Sequence, residues 1–63
     1  MNINDEFVRI NDFISRSNYH AAINLSISAM NECRRSQDQQ GVDRFIDLMQ
    51  TIIDQMREKF ASK

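Results

Sequence analysis

Few side chains in this 63-residue chain could take part in catalysis or bind a metal, and none is spaced as a catalytic motif requires. The single histidine, His20, could serve as a general base or a pH switch. No Ser, Cys or Asp stands where it would complete a nucleophile–base–orienter set with it, so we interpret His20 as a surface residue. Cys33 is the single cysteine. We interpret it as a small buried hydrophobe, the alternative being a redox thiol or an intermolecular disulfide.

Carboxylates recur on one stretch of the chain, at Asp43, Asp47 and Asp54. A hydrolytic carboxylate pair needs a cleft, and an exposed helix face provides none, so we interpret them as a solubilising surface. One histidine and one cysteine cannot complete a tetrahedral metal site. The chain also has no Gly-rich phosphate loop, nucleotide fingerprint or paired-cysteine motif. We therefore expect no catalytic residues, no metal, no cofactor and no enzyme activity.

Three arginines, Arg34, Arg35 and Arg44, gather near a break in the hydrophobic pattern, where they could contact a phosphate or an acidic partner. Acidic residues lie close by, however, and 8 basic against 9 acidic residues give a net charge of −1. Nucleic-acid binding normally needs a basic face. We interpret the three as ordinary solvated side chains and keep an anion contact as the alternative.

The elements that must position these residues are helices. Proline is absent, glycine occurs once, and apolar residues recur at spacings of three and four. The pattern predicts one all-α domain over 1–63, with helices at about 3–16, 19–35 and 38–60. Asn2 or Asn4 can cap the first helix and Ser17 or Asn18 the second. The run 36–39, Ser-Gln-Asp-Gln, fits a capping box for the third, in which Ser36 caps the start.

The second predicted helix has an unusually broad apolar surface. One stripe is large and comprises Tyr19, Ile23, Ile27 and Met30. Another is small and comprises Ala22, Ser26, Ala29 and Cys33. One neighbour cannot cover both, and the small stripe would let another helix approach closely. We therefore expect a three-helix hairpin or bundle in which the second helix is central and packs on both sides.

The third predicted helix has apolar residues spaced three or four apart throughout, from Val42 to Phe60. The first helix is shorter, so part of this stripe has no cover within the chain. Small domains bury little surface alone and often gain stability by association. We therefore expect dimerisation to complete the bundle. The expected protein interface comprises Ile46, Met49, Ile53, Met56 and Phe60.

The stretch 18–23, Asn-Tyr-His-Ala-Ala-Ile, followed by Ala29-Met30, resembles the second helix of a tetratricopeptide repeat. The spacing of its Tyr, Ala-Ile and Ala-Met matches that family, as does the Phe13-Ile14 pair before it. Glu6 and Ile10 depart from the pattern, and the resemblance covers a single unit of about half the chain. It implies an antiparallel hairpin of the first two helices and, by analogy, a role in binding peptides or proteins.

Together these features predict a small non-enzymatic regulator, adaptor or co-chaperone that binds itself and an unidentified protein partner. The alternative is a dimeric helical hairpin that binds nucleic acid, against which the near-neutral charge argues. The N-terminus lacks the basic start and apolar stretch of a signal peptide. No apolar run approaches the roughly 20 residues of a membrane span. With one unpaired cysteine, these features lead us to expect a cytoplasmic protein.

Overall fold

The computed structural model describes residues 2–61; Met1, Ser62 and Lys63 lie outside the described residues. Three helices follow one another: α1 (Ile3–Ser15), α2 (Tyr19–Arg35) and α3 (Gln39–Ala61). Over the described range the chain contains no strand, so the all-α prediction is confirmed. The structure ends α1 one residue earlier than the pattern predicts and begins α3 one residue later.

Helix α1 begins at an asparagine cap. The Oδ1 atom of Asn2 accepts hydrogen bonds from the backbone N–H groups of Asn4, at 3.0 Å, and Asp5, at 3.3 Å. These bonds satisfy two of the amides that the first turn leaves without helical partners. Asp5 and Glu6 lie in the same turn, where the helix dipole stabilises negative charge. Of the two asparagines considered, Asn2 is therefore the cap.

The two interhelical turns have the same backbone geometry. Ser17 and Gln37 each adopt a left-handed conformation with φ of 59°. In each turn the amide of the next residue donates to the carbonyl five positions earlier, at 2.9 Å in the first turn and 2.8 Å in the second. This is the Schellman arrangement. Asn18 and Asp38, directly after the left-handed residues, cap the following helices.

The capping box predicted over 36–39 is wrong. The Oδ1 atom of Asp38 accepts the backbone N–H of Gly41 at 3.0 Å, so Asp38 caps α3. The Ser36 hydroxyl instead donates back to the carbonyl of Glu32 at 3.0 Å. Ser36 still belongs to the C-terminal turn of α2, because the left-handed residue comes after it.

Helix α2 is the central helix: it packs against both α1 and α3, which contact each other far less. Its small stripe, comprising Ala22, Ser26, Ala29 and Cys33, is buried. The hydroxyl of Ser26, fully buried, donates to the carbonyl of Ala22 at 2.7 Å, so its polar atom is satisfied. Short side chains on α2 thus allow a neighbouring helix to approach closely, as predicted from the small stripe.

The large core side chains come from the two outer helices. Ile10 of α1 and Phe45 and Ile52 of α3 are fully buried. Phe7 stacks on Phe45 with ring centroids 4.8 Å apart and ring planes 14° from parallel. This aromatic contact joins the beginnings of α1 and α3, and aromatic pairs of this kind stabilise beyond the area they bury.

Gly41 lies where α3 packs closely against α2. A Cβ atom added to it would stand 2.6 Å from the Sγ atom of Cys33 and 2.7 Å from Oδ2 of Asp38. Both neighbours are constrained, since Cys33 is buried and Asp38 holds the α3 cap. Glycine is therefore needed here for space, although glycine is otherwise unfavourable in a helix.

We expect Gly41→Ala to lower the free energy of unfolding by about 1–2 kcal/mol, since overpacking exceeds the gain in helix propensity. Gln40→Ala, one residue earlier and exposed, is the matched control. Its effect should stay within about 0.5 kcal/mol. Urea denaturation followed by circular dichroism measures both. A Gly41→Ala chain more stable than wild type would contradict the close packing.

The helices differ in length, and the molecule is elongated. They contain 13, 17 and 23 residues in chain order. The radius of gyration is 12.0 Å, against about 10.6 Å expected for a compact domain of this length. Near its end α3 reaches the first turn, where Lys59 donates to the Ser17 hydroxyl at 2.7 Å. Helix α3 is the longest of the three and extends past α2 as far as the first turn.

Candidate protein interface

Helix α3 carries two parallel lines of residues, each with a spacing of seven. The inner line begins with Phe45 and Ile52, which are fully buried in the core. The residues that follow them, Ile46 and Ile53, are 46% and 42% exposed, and Phe60 is 66% exposed. We call Ile46, Ile53 and Phe60 the outer line. It lies beside the buried face, so the apolar surface of α3 continues past its contact with the core.

The methionines of the expected interface occupy an intermediate position. Met49 is half-buried. Met56 is also half-buried and packs against the buried core of the chain itself. Of the five expected residues, the outer line is thus open to solvent, while Met56 already has contacts within the chain. Periodicity places all five on one side of the helix, but the position of α2 decides how much of each is covered.

Other large apolar side chains are exposed singly. Val8 of α1 is 68% exposed and Ile27 of α2 is 40% exposed. Isolated apolar residues are normal on a protein surface, whereas several in one line on one helix are not. The outer line is therefore the better candidate for an interface.

A polar line borders the outer line on the side away from the core. It comprises Asp43, Gln50 and Arg57, also spaced by seven, and all three are exposed. Asp43 accepts a hydrogen bond from Nε2 of Gln39 at 2.9 Å, and Gln50 donates to Asp54 at 3.1 Å. These contacts join residues four apart on the exposed face. Negative charge therefore lies near the start of this line and positive charge near its end.

The three carboxylates considered as a hydrolytic set, at Asp43, Asp47 and Asp54, are exposed along α3. The depressions found on the described surface are shallow and open, and none of them is lined by any of the three. A carboxylate pair at such a surface stays fully hydrated. The arrangement fits a solvated helix face.

The three arginines have different surroundings. Arg35 forms an ion pair with Glu32 one turn earlier in α2. The Arg44 guanidinium lies over the Phe7 ring, 4.7 Å from its centroid, in a cation–π contact. Arg34 is exposed and lines shallow depressions at the end of α2. Two of the three charges thus have partners within the chain, which reduces their availability to an external anion.

Among residues 2–61, the two titratable groups with shifted pKa values belong to α2. Burial raises the pKa of the Cys33 thiol, and the nearby Asp38 and Glu32 carboxylates add to the effect. The thiol is therefore held in its protonated, unreactive form. Because the folded state holds this proton more tightly, its contribution to stability is lost as pH rises above the thiol pKa of the unfolded chain. The hydrogen bond and charge of Arg35 lower the pKa of the exposed Glu32 carboxyl.

His20 is exposed in the first turn of α2. It lies thirteen positions before Cys33 on the same helix, which corresponds to about 20 Å along the axis. The structure therefore keeps these two side chains apart. Within residues 2–61, no three His, Cys, Asp or Glu side chains come together in a way that could hold a metal ion.

None of the helices in the described part of the chain combines the length and apolar character that crossing a membrane requires.

Sequence reasoning did not identify the contacts between α1 and α3. The Phe7–Phe45 stack and the placement of Arg44 over Phe7 join residues 38 and 37 positions apart. Periodicity indicates that Phe7 and Phe45 face inward, but the pairing depends on how both outer helices lie against α2. The cation–π contact also gives Arg44, one of the three arginines considered from the sequence, a partner on α1.

No protein-family model matches the chain. Comparison with curated proteins and with solved structures gives no significant match either.

Proposed function

We propose that this chain is a small, non-enzymatic protein-binding module that associates with itself through α3 and binds a partner helix, as a regulator, adaptor or co-chaperone would. The observation that carries the proposal is the outer line. Ile46, Ile53 and Phe60 expose large apolar surface along one side of one helix. A contiguous apolar surface of this kind is typical of an interaction site.

The pattern of these side chains suits recognition between helices. With Met49 and Met56, the outer line forms a repeat of three and four residues over 15 positions of α3. Amphipathic helices that bind in grooves use anchors at this spacing. Methionine adapts to irregular apolar surfaces, which suits a face that accepts more than one helix.

The size of the chain gives the second argument for association. A domain of about 60 residues buries only about 60% of the surface that its unfolded chain exposes. Its single cysteine, Cys33, excludes an internal disulfide as an additional source of stability. Pairing two α3 faces would remove the outer line from water in both copies. Burial contributes about 25 cal/mol per Å² of apolar surface.

Light scattering coupled to size-exclusion chromatography, over a dilution series, tests the proposal. We expect a mass of twice the chain's 7.4 kDa at high concentration. We also expect a melting temperature that rises with concentration, because association stabilises only the folded chain. A mass of 7.4 kDa and a constant melting temperature up to millimolar concentration would contradict self-association.

A further inference from the structure

The polar line beside the outer line predicts the orientation in which two α3 helices would pair. Asp43, Gln50 and Arg57 lie three positions before Ile46, Ile53 and Phe60 respectively. In a heptad repeat with the outer line at position a, these polar residues occupy position e, and Met49 and Met56 occupy position d. Charges at e and g determine the orientation in which two helices pair.

The opposite flank of α3 is already occupied. Position g comprises Phe45, Ile52 and Lys59. The first two are fully buried in the core, and Lys59 contacts Ser17 and the Tyr19 ring. Lys59 is exposed but is held on this flank by those contacts, so a second helix on the outer line meets charges of both signs only on the flank of Asp43, Gln50 and Arg57.

This one-sided arrangement separates the two orientations. In a parallel pair, position e faces position g of the other helix. Asp43 and Arg57 would then lie against the flank that carries Phe45, Ile52 and Lys59. In an antiparallel pair, position e faces position e. Residue 43 then meets residue 57 of the other copy, and residue 50 meets its own equivalent.

We propose that two copies of this chain pair their α3 helices antiparallel about a twofold axis near Gln50, an inference that rests on the self-association proposed above. Asp43 of each copy lies against Arg57 of the other, which gives two equivalent ion pairs. Among the described residues Arg57 has no ion pair within its own chain.

The apolar residues fit the same register. An antiparallel pair alternates position a of one helix with position d of the other. Ile46 then packs on Met56 of the second copy, and Met49 packs on Ile53. The twofold axis repeats both layers. Phe60, the most exposed of the outer line, lies beyond these layers at the end of the interface.

Charge reversal tests this orientation. The altered side chains are all exposed, so the substitutions should not disturb the fold. We expect Asp43→Arg alone and Arg57→Asp alone to weaken dimerisation about 3- to 30-fold at low salt, since each places like charges together twice. The double variant should return to within about 3-fold of wild type. Asp47→Arg makes the same charge change away from the interface and should alter dimerisation less than about 2-fold. Sedimentation equilibrium in 20–50 mM salt measures all four.

Oxidative cross-linking provides an independent measurement. We expect Gln50→Cys to form a disulfide-linked dimer under mild oxidation, because the twofold axis brings the two thiols together. Asp43→Cys alone should not, since its equivalent lies far along the partner helix. The buried Cys33 does not compete.

The outcomes separate the two proposals. Suppose that the wild type dimerises but the double variant is weakened by as much as the fold-changes of the two single variants multiplied together. That result would overturn the antiparallel pairing and leave self-association standing. Efficient cross-linking through Asp43→Cys but not Gln50→Cys would overturn it as well. A monomeric wild type would overturn both.

Discussion

Ile53→Asp should abolish the proposed dimerisation and leave a folded monomer. Ile53 lies at the middle of the outer line and is 42% exposed, so a polar side chain there can remain hydrated in the isolated chain. In the paired form it would place a carboxylate in each half of an apolar interface. Burying an unpaired charge costs several kcal/mol. We expect the dissociation constant to rise at least about 100-fold, which corresponds to about 2.8 kcal/mol.

Val8→Asp is the matched control for this prediction. Val8 is also apolar and, at 68%, more exposed, but it lies on α1, away from the outer line. This variant should keep the wild-type mass and melting behaviour. Sedimentation equilibrium and circular dichroism measure mass and helicity together. If Ile53→Asp keeps both the wild-type mass and the wild-type melting temperature, α3 is not the interface.

Phe45→Ala should unfold a large fraction of the chain. Phe45 is the largest of the fully buried side chains, and its ring stacks on Phe7. Truncating a buried phenylalanine costs about 3–5 kcal/mol. A stability of 0.05–0.15 kcal/mol per residue gives this chain about 3–9 kcal/mol in total. The loss is therefore comparable with the whole stability of the domain.

Ile46→Ala is the control one residue away. Ile46 is 46% exposed, and its truncation removes few contacts with the core. At low concentration, where dimers dissociate, it should change the free energy of unfolding by less than about 1 kcal/mol. Urea denaturation of both variants at micromolar concentration makes the comparison. Equal destabilisation by the two substitutions would contradict the division of α3 into an inner and an outer line.

The sequence was sufficient to predict three helices because periodicity and the absence of proline agree along the whole chain. It was not sufficient to locate the α3 cap. Ser36 fits a capping motif locally, but its hydroxyl bonds back to Glu32 and Asp38 caps instead. The deciding residue is Gln37, which adopts the left-handed conformation with φ of 59°. That conformation is usually signalled by glycine, and the turn has none.

The candidate interface could be predicted in part. Spacing places Ile46, Ile53 and Met56 on one side of α3, yet only the first two are exposed, while Met56 packs against the core. Periodicity defines an apolar arc but not how far a neighbouring helix covers it. That depends on the close approach of α3 to α2 at Gly41, a contact between helices.

Isotope-filtered nuclear Overhauser spectroscopy on a mixture of labelled and unlabelled chains tests the central claim most directly. The methyl groups of Ile46, Met49 and Ile53 lie on the surface proposed to pair, so each should show contacts to protons of another molecule. At millimolar concentration we expect intermolecular contacts from these methyls. A spectrum without such contacts from α3, or with contacts only from Val8 or Ile27, would contradict the claim.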